Sequence, residues 1–103
     1  MFGKILNFKF TSVSEAKLAA SFCTEEFGSK ISEYKIIGLN IFIGQTGDLN
    51  VSIKFENPDA VNQFENNYVN IISDLKESLV FKENNFVGVC AYTYEKEAAS
   101  TEM

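Results

Sequence analysis

The chain has 103 residues, 46% of them hydrophobic, with ten Phe, four Tyr, no Trp, no His and a formal net charge of −5. That length accommodates one domain rather than two, and the acidic balance excludes a general nucleic-acid binder, which needs a basic footprint. Without histidine there is no imidazole base, no Ser-His-Asp triad and no usual transition-metal site, so neither a metal nor a cofactor is expected.

Residues 2–11 read as a first strand. Leu6, Phe8 and Phe10 share one face, while Asn7, Lys9 and Thr11 share the other, with Ile5 at its start. Ser12 and Glu15 have the spacing of a capping box, with Ser14 as a competing cap. The helix they begin runs to about Phe27, with a buried stripe of Ala16, Ala19, Ala20, Cys23 and Phe27. Gly28 is placed to end it in a left-handed conformation. Small residues in that stripe let the helix sit close to a sheet.

Residues 33–56 read as a long β-hairpin around a turn at residues 44–48. Its second arm alternates, with Leu49, Val51, Ile53 and Phe55 on one side and Asn50, Ser52, Lys54 and Glu56 on the other. In the first arm, Ile37, Leu39, Ile41 and Ile43 form one apolar face, but Tyr34, Ile36 and Phe42 put bulk on the opposite face as well. A one-sided sheet would leave that face polar, so a further layer is expected over it.

Asn57, Pro58 and Asp59 form a helix start. Asn57 can accept from unpaired helix N–H groups, Pro58 suits the first helical position and Asp59 opposes the positive end of the macrodipole. The helix continues to about Ser78 with Val61, Phe64, Tyr68, Ile71, Ile72, Leu75 and Leu79 on one face. A last strand is expected from Phe86 to about Glu95. Val87, Val89 and Ala91 lie on one side of it, and Phe86, Cys90, Tyr92 and Tyr94 on the other. The single domain is therefore residues 1–95, and residues 96–103 are a frayed tail. Cys23 and Cys90 lie far apart with no CxxC partner, and are read as free buried thiols. No apolar run is long enough to span a bilayer, and no apolar segment with a small-residue cleavage site opens the chain. A soluble cytoplasmic protein with no membrane or nucleic-acid partner is expected.

The element order β-α-β-β-α-β is the ferredoxin-like, α+β arrangement. Right-handed crossovers put both helices on one face of a four-stranded antiparallel sheet, with the first and third strands central. The helix side takes Leu6, Phe8, Phe10, Ile37, Leu39, Ile41, Ile43, Leu49, Val51, Ile53, Phe55, Val87, Val89 and Ala91. The open face has a polar middle, Asn7, Lys9, Asn50, Ser52 and Lys54, and apolar margins, Tyr34, Ile36, Phe42, Phe86, Cys90, Tyr92 and Tyr94. That mixture is too apolar for water and too polar for a dry core. Two copies closing face to face would form a barrel around it.

This pattern resembles the dimeric α+β barrel superfamily, including antibiotic-biosynthesis-monooxygenase-like, muconolactone-isomerase-like and stress-responsive A/B-barrel proteins. The most specific piece is residues 55–60, Phe-Glu-Asn-Pro-Asp-Ala, leading to Phe64. It is similar to the family's aromatic strand end, polar break and helix start with an alanine. The resemblance implies the ferredoxin-like fold and a homodimer. It departs from many of the family's enzymes, which place His or Trp at the cavity.

The leading functional expectation is a homodimer that holds an apolar or amphipathic, fatty-acid-like ligand at the open face. Lys9 and Lys54 are expected to be neighbours and to take its charged end. Tyr34, Tyr92 and Tyr94 would supply hydroxyl groups, and Ile36, Phe42 and Phe86 would line its apolar part. The alternatives are a cofactor-independent monooxygenase or isomerase, with Tyr92, Asn40 or Asn50 as the available acid–base candidates, and a structural or protein-interaction dimer with no cavity. No catalytic residue is assigned.

Overall fold

The computed structural model describes residues 1–96. Its elements are β1 (Phe2–Lys9), α1 (Val13–Gly28), a single turn α2 (Ile31–Tyr34), β2 (Ile36–Ile43), β3 (Asp48–Phe55), α3 (Pro58–Ser78) and β4 (Lys82–Val89). The sheet is antiparallel throughout with strand order β2-β3-β1-β4, so β1 and β3 are central. This is the ferredoxin-like α+β fold expected from the element order. All but Lys96 of the expected tail lies outside the described residues.

Local chemistry sets the helix limits. Ser12 Oγ accepts from Glu15 N at 3.2 Å, and the Glu15 carboxylate reaches back to Thr11 N, also at 3.2 Å. At α3, Asn57 Oδ1 accepts from Ala60 N at 2.9 Å with Pro58 in the first turn. Both apolar stripes are buried as their spacing requires: Ala16, Ala19, Ala20, Cys23 and Phe27 from α1, and Val61, Phe64, Tyr68, Ile71, Ile72 and Leu75 from α3. They meet Leu6, Phe8, Leu49, Val51, Ile53 and Phe55 from the sheet in one core. Gly28 does not turn left-handed; the left-handed residue is Lys35, with φ 56°, which closes α2.

The β2–β3 turn is tied to the rest of the fold by Gly47, whose carbonyl accepts from Phe10 N at 2.8 Å. Gly47 has φ 96°, and a Cβ there would lie 2.5 Å from the Phe10 carbonyl oxygen. Only glycine satisfies both constraints.

Three expectations about the strands are corrected. First, Glu33 and Tyr34 belong to a helical turn, residues 31–34, rather than to the strand. Tyr34 is buried and sets its ring edge-on to Phe64 at 5.4 Å, so it belongs to the core and not to the open face. Second, a bulge between Ile36 and Gly38 breaks the β2 register. The extra residue exchanges the two isoleucines: Ile36 is buried on the helix side and Ile37 is 53% exposed. Third, β4 ends at Val89, paired with Phe2, instead of running to Glu95. Beyond Val89, Cys90 N donates to Met1 O at 2.9 Å, and residues 91–96 carry no strand. Ala91 therefore lies beyond the strand. Val87 and Val89 are on the helix side but stay exposed, because the helices do not reach across this outer strand.

Candidate functional site

The register lays out the open face in rows that run across the sheet. One row is Gly38, Lys54, Gly3 and Gly88. The next is Asn40, Ser52, Ile5 and Phe86, and the third is Phe42, Asn50, Asn7 and Asn84. A hydrogen-bonded ribbon runs along the third row and takes in Ser52 of the second: Ser52 Oγ donates to Asn50 Oδ1 (2.8 Å), Asn50 Nδ2 to Asn7 Oδ1 (2.8 Å) and Asn7 Nδ2 to Asn84 Oδ1 (3.2 Å). The polar middle thereby satisfies much of its own hydrogen bonding, as a half-covered polar surface must.

The first row contains three glycines and one lysine, so the open face is lowest there. A cleft of ≈ 260 Å³ lies over Gly3 and Gly88, bordered by Ile5, Phe86, Ser52, Lys54 and Cys90. The chain's own packing does not require these two glycines. A Cβ on Gly3 would meet nothing closer than 3.8 Å, and one on Gly88 nothing closer than 3.7 Å. Glycine inside a strand costs about 0.5–1 kcal/mol relative to alanine, and its usual return is close approach of another group to the backbone. The stem of Lys54 leans over Gly38, where a Cβ would lie 3.1 Å from Lys54 Cδ. The lysine, which borders the cleft, thus leaves the floor over Gly3 and Gly88 open, and its ammonium lies 3.2 Å from Glu95 Oε2.

Of the residues singled out from the sequence, Lys54 and Phe86 line this cleft together. Phe42 faces the same side, but on the opposite edge strand, beside a separate depression of ≈ 300 Å³ that also includes Asn7, Asp48 and Asn50. Lys9 and Lys54 are not neighbours. Lys9 pairs with Asp48 and Lys54 with Gly3, which puts their positions six residues apart along the central strands, about 20 Å. Lys9 is also engaged by its own hairpin. Its ammonium donates to Thr46 O at 2.6 Å and lies 3.5 Å from Asp48 Oδ1. The Thr46 hydroxyl bond, together with Lys9, holds the Asp48 carboxyl below its usual range. Tyr34 and Ile36 are in the core, as described above. Tyr92 follows β4 and is 83% exposed.

Sequence reasoning missed the glycine floor and Lys4. Lys4 is 2% exposed on the helix side of β1, between Phe2 and Leu6. Its ammonium lies 2.9 Å from Glu65 Oε1, donates to Asn85 Oδ1 at 2.6 Å and sits 4.8 Å from the Tyr68 ring centre. The Tyr68 hydroxyl bonds Glu83, and burial followed by that carboxylate pushes its pKa up. The available signal was a lysine on the same two-residue period as Leu6 and Phe8. Cys23 is buried, and burial pushes its thiol up to about 12, which makes it an inert core residue. Cys90 is half-buried at the cleft, and the two cysteines are not bonded. Among the described residues, no cluster of three or more His, Cys, Asp or Glu is placed to hold a metal, and no helix is long and apolar enough to cross a membrane.

Comparison with solved structures finds the same fold in other proteins. A dimeric ferredoxin-like protein from an uncultured marine organism matches with a TM-score of 0.68 at 19% identity, over 93% of this chain and 100% of the other. A Deinococcus radiodurans protein provisionally described as an antibiotic biosynthesis monooxygenase matches at 0.64 and 15% identity, over 100% of this chain and 99% of its own. Rv0793 from Mycobacterium tuberculosis matches at 0.57 and 10% identity, over 97% and 100%. No protein-family model and no curated protein matches the chain by sequence. At these identities the likeness establishes a shared fold, which by itself does not fix function.

Proposed function

We propose that this chain works as a homodimer that holds a small amphipathic anion against the open face of its sheet. The observation that carries this reading is the cleft over Gly3 and Gly88. It is an apolar trough walled by Ile5 and Phe86, with Lys54 among its lining residues. Such a site suits a ligand with a flat or slender apolar part and one carboxylate, an alkyl carboxylate being the simplest case. Its ≈ 260 Å³ lies just below the roughly 300–1,000 Å³ typical of small-molecule pockets. A second sheet packed over it would complete the enclosure.

Support for the second copy comes from the same face. Phe42 is 62% exposed and Phe86 57% exposed, although they flank a self-satisfied amide ribbon rather than solvated charges. The marine ferredoxin-like protein is itself described as dimeric. Sedimentation velocity at micromolar concentration is expected to give a dimer; a single monomeric species would contradict the enclosed compartment. A monooxygenase or isomerase reading gains less from the geometry. Asn50 is bonded on both sides within the ribbon, and neither Asn40 nor Tyr92 borders the cleft.

A further inference from the structure

The cation of the cleft already has an occupant. Lys54 Nζ donates to Glu95 Oε2 at 3.2 Å, across 41 residues of sequence. Glu95 sits on residues 91–96, which follow the last sheet bond at Cys90 and carry no regular secondary structure. This strap starts from β4 and delivers its carboxylate to a side chain of β3, two strands away, a distance of about 10 Å across the sheet. Its other large side chains, Tyr92 and Tyr94, are 83% and 75% exposed, and they anchor it to no core. The chain's own carboxylate thus stands where a ligand carboxylate would stand, on a segment held by few contacts.

We infer that Glu95 is an internal competitor for the anion site, and that residues 91–96 are a strap which a ligand carboxylate displaces from Lys54. The inference rests on the amphipathic-anion reading above and adds a regulatory element to it. An ion pair of this kind is weak. The Glu95 side chain is 70% exposed and that of Lys54 30% exposed, so solvent and salt screen their attraction. Tethering raises the local carboxylate concentration and compensates in part. Glu95 therefore lowers affinity modestly and in a salt-dependent way, without blocking the site.

Octanoate is the probe, measured by titration calorimetry on the full chain. Glu95→Gln is expected to bind it about twofold to fivefold more tightly than the native protein, the span a solvent-screened ion pair supplies. The gain should shrink as salt rises. Glu56→Gln, which removes a carboxylate two residues from Lys54 that makes no ion pair among the described residues, should leave affinity unchanged. In a Lys54→Met background, Glu95→Gln should add nothing. Chymotrypsin cleavage after Tyr92 and Tyr94 should accelerate with octanoate present. Equal octanoate affinity in the native and Glu95→Gln proteins, or an equal gain from Glu56→Gln, overturns the strap while leaving the ligand reading in place. Binding by neither protein overturns both.

Discussion

Truncation of Phe64 to alanine is expected to cost about 3–5 kcal/mol, the range for deleting a fully buried phenylalanine. The ring is fully buried at the centre of an aromatic cluster. Its centroid lies 5.5 Å from Phe27, 5.4 Å from Tyr34, 5.4 Å from Phe55 and 5.9 Å from Tyr68. Those four neighbours come from α1, α2, β3 and α3, so the lost volume would be felt by three of the elements that pack against α3 as well as by α3 itself. Partial collapse cannot refill it, because each neighbouring ring is fixed by its own backbone. Urea denaturation should show a midpoint shift of that size with an unchanged slope. A loss below about 1 kcal/mol would mean that the cluster does not anchor α3.

The second large effect concerns Lys4, and its sign depends on which partner is removed. Replacing Glu65 with methionine is expected to destabilise the fold by about 2 kcal/mol, because it leaves an ammonium with 2% exposure facing only Asn85 and the Tyr68 ring. Breaking a fully enclosed pair costs roughly 3–5 kcal/mol; Glu65 is 39% exposed, which lowers the expectation. Replacing Lys4 with methionine should cost less than about 1 kcal/mol, since it removes the costly charge, keeps similar volume and leaves a carboxylate whose side chain is already 39% exposed. Urea melts of the two variants test the order. A larger loss for Lys4→Met than for Glu65→Met would show that the ammonium is a net stabiliser.

Much of this fold was legible because local signals and burial agree. Asn57-Pro58-Asp59 and the spacing from Val61 to Leu75 placed α3, and the small-residue stripe from Ala16 to Phe27 placed the buried face of α1. The site was legible only in part, because it depends on register. Alternation assigned Lys9 and Lys54 to the same face correctly. Their separation depends on Lys54 pairing with Gly3 and Lys9 with Asp48, and no local pattern specifies that pairing. The bulge at Ile36 and Gly38 has no sequence signal beyond the glycine, yet it reverses which isoleucine is buried. The strand limit at Val89 was invisible because it is set by how far the pairing with β1 extends, and the alternation of β4 continues past it. Gly3, Gly38 and Gly88 are far apart in sequence and form a floor only once the sheet brings them into one row.

The most direct test of an amphipathic-anion site is a titration of straight-chain carboxylates of increasing length, each beside its matched alcohol, against the native protein and Lys54→Met. Burial of each added methylene against Ile5, Phe86 and the glycine floor should tighten binding by about fourfold until the cleft is filled, from roughly 0.8 kcal/mol per methylene. Carboxylates should exceed alcohols in the native protein, and Lys54→Met should erase that preference with a loss of about fivefold to tenfold. Affinity that is flat across the series, or a carboxylate preference that survives Lys54→Met, would contradict the site.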